Sequence, residues 1–116
     1  MTSINDIVTF NTTRGVDLGQ PWTNIEVLLN GINKGDISAV FDDAGYSTGS
    51  MTPRWIVRGY CYEVEARNGD IVSGHFQVRT GEHARTTMAR CKRWCALVVT
   101  LPSRTAAHEA LPDFLG

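Results

Sequence analysis

Lysine is scarce in this chain: only two of its 116 residues are lysine, against nine arginines and twelve acidic residues. The resulting net charge of -1 excludes any global electrostatic pull toward nucleic acid or an anionic membrane. Binding of that kind would need a local patch. The arginine skew suits a GC-rich, bacterial-type coding sequence. Long apolar runs are also missing, and none approaches the roughly 20 residues that a membrane span requires. The opening MTSINDIVTF has neither a basic start nor an extended apolar core, so no export signal is expected. Cysteine is limited to three residues, which cannot all pair within one chain. Reduced thiols and a cytoplasmic location are the expectation. Repeats, low-complexity tracts and linkers are absent.

What is present is an ordinary globular balance, 42% hydrophobic and 20% charged. At this length one domain, residues 1–116, is expected.

IVTFNTT reads as a short strand and RGVDLGQP as a turn-rich connection. Residues 24–34 carry stacked helix signals. Thr23 and Glu26 have the spacing of a capping box, and Trp22 and Val27 that of a hydrophobic staple. Ile25, Leu28, Leu29 and Ile32 repeat at helical spacing, with Gly35 as the stop. Asn30-Gly31 argues the other way, as a hairpin turn between strands. A helix is predicted over 24–34 and a strand over 36–42.

The connector around Tyr46 includes GYSTGS, whose small residues would expose backbone N–H groups, but no lysine or helix follows as a nucleotide loop requires. Residues 55–80 form the best-defined element, a long β-hairpin. A two-residue Asn68-Gly69 turn would set Arg58 against Arg79. A three-residue Arg67-Asn68-Gly69 turn instead pairs Val64 with Val72, Tyr60 with Phe76 and Tyr62 with Gly74. That register collects Ile56, Tyr60, Tyr62, Val64, Val72, Phe76 and Val78 on one core face. A helix over 83–94, a buried strand CALVVTL and a short helix stopped by Pro112 complete the chain. The predicted order is β-α-β-β-β-α-β-α. It makes an α+β domain, a mainly antiparallel sheet packed by two to three helices.

The densest chemistry lies in HARTTMARCKRWC, residues 83–95. At about 100° per residue, Ala84, Met88, Cys91 and Cys95 share one narrow stripe, which reads as core. Zinc would need further ligands, and His83, His108, His75 and Cys61 show no close ligand spacing. Cys-x3-Cys is also not the redox arrangement. No metal and no cofactor are expected. The opposite side carries Arg85, Arg90, Lys92 and Arg93, a face able to contact phosphate. A helix, three strands and a basic helix is also the order of double-stranded-RNA-binding domains, although their lysine cluster is replaced here by GEHARTT. The same order resembles restriction-type nucleases, with Asp42, Asp43, Glu63 and Glu65 as carboxylates, but the expected acid-x-Lys is missing.

The hairpin's other face carries Cys61, Glu63, Glu65, Ser73, His75, Gln77 and Arg79. Cys61, His75 and Glu63 have the residue types of a nucleophile, base and orienter, yet an open sheet face excludes no water and no oxyanion loop is identifiable. No catalytic residues are assigned. The chain is expected to act by binding a protein through Glu63, Glu65, His75, Gln77 and Arg79, with Tyr46 as an anchor. A phage or plasmid accessory protein that inhibits a host complex fits its size and composition. Nucleic-acid binding through Arg85, Arg90, Lys92 and Arg93 is the second expectation. Leu111, Phe114 and Leu115 either cap the core or form a homodimer contact.

Overall fold

The computed structural model describes residues 6–46 and 53–116. Five strands form one antiparallel meander in sequence order: β1 (Val8–Asp17), β2 (Gln20–Leu29), β3 (Ile32–Tyr46), β4 (Pro53–Glu65) and β5 (Ile71–Gln77). Two helices follow, α1 (Ala84–Val98) and α2 (Arg104–Leu115). The α+β class with helices on an antiparallel sheet therefore stands, but the element order is β-β-β-β-β-α-α.

The helix expected over 24–34 is a hairpin. Asn30 and Gly31 both have positive φ, 52° and 81°, which is the mirror-image turn that matches strand twist. Leu18 and Gly19 turn β1 into β2 in the same way, with φ of 51° and 81°. Burial follows a period of two: Ile25, Val27 and Leu29 are buried. Leu28 is only half-buried and Ile32 is 62% exposed, so the apparent helical stripe was a coincidence of spacing. Gly35 is not a helix stop. It sits beside a bulge, with φ of 136°, and a Cβ there would lie 2.0 Å from the Glu63 carbonyl oxygen.

The β4–β5 hairpin has the predicted register, with Val64 opposite Val72, Tyr62 opposite Gly74 and Tyr60 opposite Phe76. Gly69 takes φ of 90° in the three-residue turn, closed by the Ala66 N–H donating to Asp70 O at 2.9 Å. Ile56 departs from the expected core face and is 50% exposed. The cause is a bulge: Val40 pairs with Gly59 and Phe41 with Val57, which leaves Arg58 as an extra residue. Below it Val57 packs against the core, and Ile56 turns away.

The expected strand CALVVTL is instead the end of α1 and its cap. Cys95, Val98 and Val99 are buried at helical spacing, and the Val99 N–H donates to Cys95 O at 3.1 Å. An apolar run of that length fits a buried helix as well as a strand. α2 is not stopped by Pro112 but continues through it to Leu115. Its last turn is held by Phe114, whose ring centroid lies 5.1 Å from that of Trp94.

Both helices lie on the face that carries Ile25, Val27, Ile37, Tyr60, Tyr62 and Val64. At the centre, Trp94 Nε1 donates to the Tyr62 hydroxyl at 2.9 Å. The β4–β5 turn docks on the interhelical loop, where the Arg67 N–H donates to Leu101 O at 2.9 Å. With five strands preceding both helices, neither the RNA-binding nor the nuclease order is present.

The sheet outruns its helical cover. β3 has 15 residues, about 50 Å of strand, whereas α1 spans about 22 Å. The β2–β3 ladder extends from Leu29–Ile32 only as far as Asn24–Ser38. Beyond it, among the described residues, residues 20–23 of β2 pair with β1 alone, and residues 39–43 and 46 of β3 with β4 alone. The sheet forks into two arms. Among the described residues no helix is long and apolar enough to cross a membrane.

Candidate functional site

Neither helix covers the second face of the sheet. Strand alternation assigns residues to it: Thr9, Asn11 and Thr13 from β1, Asn24, Glu26 and Leu28 from β2, and Asp36, Ser38 and Val40 from β3. Cys61, Glu63 and Glu65 follow from β4, and Ser73, His75 and Gln77 from β5. All are exposed or half-buried.

Register then decides the chemistry. Glu26 is the Cα partner of Asp36, and Asp36 is the partner of Glu63. Three carboxylates stand in one row across three adjacent strands. Like charges directly opposite one another cost stability. Among the described residues no arginine or lysine forms an ion pair with any of them. Only the Asn33 side-chain amide, donating to Glu26 at 3.1 Å, offers local relief. The next row carries Asn24, Ser38, Cys61 and His75. It opens into a shallow hollow of about 350 Å³ walled by Val40, Arg58, Gly59, Tyr60, Cys61, His75 and Gln77, with Arg58 paired to Asp42 at 3.3 Å.

Of the residues predicted for protein binding, Glu63, Glu65, His75 and Gln77 share this face. Arg79 follows the end of β5 and is exposed. The side chain of Tyr46 and residues 47–50 of GYSTGS lie outside the described residues. Glu26 falls on the helix expected over 24–34, and Asp36 opens the strand expected over 36–42, so the sequence alone does not bring the two together. The alternation of Ile25, Val27 and Leu29 ahead of Asn30-Gly31 was the signal that places them.

Cys61 and His75 are cross-strand partners, but among the described residues no hydrogen bond links either of them to Glu63. Nor, among those residues, is any group of three or more His, Cys, Asp or Glu side chains placed to hold a metal. Cys91 and Cys95 are fully buried in the core. A hydrogen bond with Cys91, together with burial, pushes the Cys95 thiol far up, so it stays protonated and inert.

The basic side of α1 is partly spoken for. Arg90 pairs with Glu82 at 2.9 Å and lies over the Phe76 ring. Lys92 covers Phe10, its Nζ 5.3 Å from the ring centroid. Arg85 and Arg93 remain exposed. His83 acts as the N-cap, its Nδ1 accepting from the Arg85 N–H at 3.2 Å. At the C-terminus Phe114 caps the core beside Trp94, and Leu115 is exposed.

Comparison with protein-family models, with curated proteins and with solved structures finds no match to this chain.

Proposed function

We propose that the chain is a small non-catalytic binding protein whose uncovered sheet face docks onto another protein. The observation that carries this reading is the unneutralised row Glu26–Asp36–Glu63. A fold that sets three like charges side by side gives up stability, because like charges directly opposite one another on a sheet repel. A partner supplying basic side chains recovers it. The neighbouring hollow at Cys61, His75 and Gln77 offers shape beside the charge. Glu65 continues this surface along β4, whereas Arg79 lies past the end of β5 beside Arg90 and Leu111. A phage or plasmid accessory protein that blocks a host complex is the setting that suits a motif-free binder of this size. Nucleic-acid binding through α1 is less well supported, because Arg90 and Lys92 are engaged within the molecule.

Capture from lysate of the source organism, with and without nuclease, tests the reading. Wild type is compared with a Glu26→Gln, Asp36→Asn, Glu63→Gln variant and with an Arg85→Ala, Arg93→Ala variant. Protein capture that survives nuclease and the helix substitutions, and is lost with the face substitutions, supports it. Capture that depends on nucleic acid or on the arginines replaces it with the nucleic-acid reading.

A further inference from the structure

The fork in the sheet is a second surface, and its argument does not depend on the outer face. Past Asn24–Ser38 the facing edges of β2 and β3 have no ladder partner among the described residues. Among those residues, the alternate N–H and C=O groups of Ala39–Asp43 that point toward β2 are therefore left open. An unpaired strand edge is matched by one kind of occupant, another extended chain.

The walls specify that chain further. A cavity of about 300 Å³ lies between the arms and reaches Met88 of α1 at its base. Pro21 and Trp22 come from one arm, and Phe41 and Val57 from the other. Trp22 is 43% exposed although its indole lies against Gly15, where a Cβ would come within 2.5 Å of the ring. Polar character is confined to Thr23, Arg14 and the Tyr60 hydroxyl. Arg14 is exposed, and among the described residues it forms no ion pair. Tyr60 hydroxyl makes no hydrogen bond among those residues either, and Tyr60 lines the same cavity as Arg14. The cleft thus combines an open backbone edge, an aromatic and aliphatic pocket, and one unpaired cation beside a hydroxyl donor.

We propose that the fork receives an extended segment of a partner protein that pairs with the free edge of β3. The segment seats an apolar side chain against Phe41, Val57 and Trp22, and a carboxylate two residues along, on the same face of the strand, meets Arg14 and the Tyr60 hydroxyl.

A phage-displayed library of random linear heptapeptides, selected on the full chain, is the probe. Enriched peptides should share an apolar residue two positions from an Asp or Glu. Titrated as synthetic peptides into ¹⁵N-labelled protein, they should shift the Trp22 indole and the amides of Ala39–Asp43. N-methylation of alternate peptide amides should abolish binding, and Arg14→Ala should weaken it about tenfold. Arg14→Ala alters an exposed side chain, so folding is not at issue. The proposal is overturned if selection on wild type enriches nothing beyond selection on Arg14→Ala, or if shifts map to the outer sheet face. It is also overturned if the same amides become protected by self-association alone, which would make a second copy the occupant.

Discussion

The indole of Trp94 donates to the hydroxyl of Tyr62 at 2.9 Å in the middle of the core, which ties α1 to the central strand of the β3–β4–β5 hairpins. Burial also raises the Tyr62 pKa above its ordinary value, so the phenol stays a neutral acceptor throughout the physiological range. Tyr62→Phe removes the acceptor and leaves a buried N–H unpaired. The expected loss is about 1–3 kcal/mol in urea unfolding, with an unchanged m-value. A loss below the measurement error would mean that the bond adds nothing to the docking of α1.

Glycine positions separate two kinds of backbone demand. Gly35 combines φ of 136° with close approach to the Glu63 carbonyl, so Gly35→Ala should cost more than about 3 kcal/mol or prevent folding. Gly19 has φ of 81° but nothing within 4 Å of a Cβ, so Gly19→Ala should cost only about 1 kcal/mol. Thermal unfolding of the two variants side by side checks the contrast.

Thiol accessibility should be graded. Cys61 is exposed, whereas Cys91 and Cys95 are buried. An aromatic disulfide reagent should titrate one thiol per native chain and all three after denaturation. Fast reaction of a second thiol in the native protein would contradict the packing of α1.

Acid should weaken the fold in a defined direction. The Arg104 backbone N–H, donating to Asp70 at 3.1 Å, holds that carboxyl below its ordinary 3.8, and the Thr87 hydroxyl holds Glu82 below 4.5. A carboxyl whose pKa is lower folded than unfolded contributes stability that is fully present above the unfolded value. That contribution is lost as pH falls through the folded value. Stability should therefore decline as pH drops below about 4.5, and Asp70→Asn with Glu82→Gln should flatten the decline. An unchanged acid slope in the double variant would remove both contacts from the account.

Much of the hairpin was legible in the sequence because its determinants are local. The Arg67-Asn68-Gly69 turn fixes the register, and apolar cross-strand pairs confirm it. The 24–34 segment was not, since Ile25, Leu28, Leu29 and Ile32 satisfy a helical period while Ile25, Val27 and Leu29 satisfy a strand period. Only the partner strand decides between them, and the partner is β3, whose bulge at Lys34, beside Gly35, is a tertiary feature. Ile56 was misassigned for a related reason, because the extra residue Arg58 inverts the alternation and leaves no local mark. For the candidate face, Glu63, His75 and Gln77 followed from the hairpin alone. Glu26 and Asp36 required the whole sheet, and without them the carboxylate row is invisible.

The central claim rests on that row. The most direct test is titration calorimetry with the captured partner, comparing wild type with the Glu26→Gln, Asp36→Asn, Glu63→Gln variant and with Arg85→Ala, Arg93→Ala. The account predicts at least about a tenfold loss of affinity for the face variant and no change for the helix variant. Unchanged affinity in the face variant would contradict it.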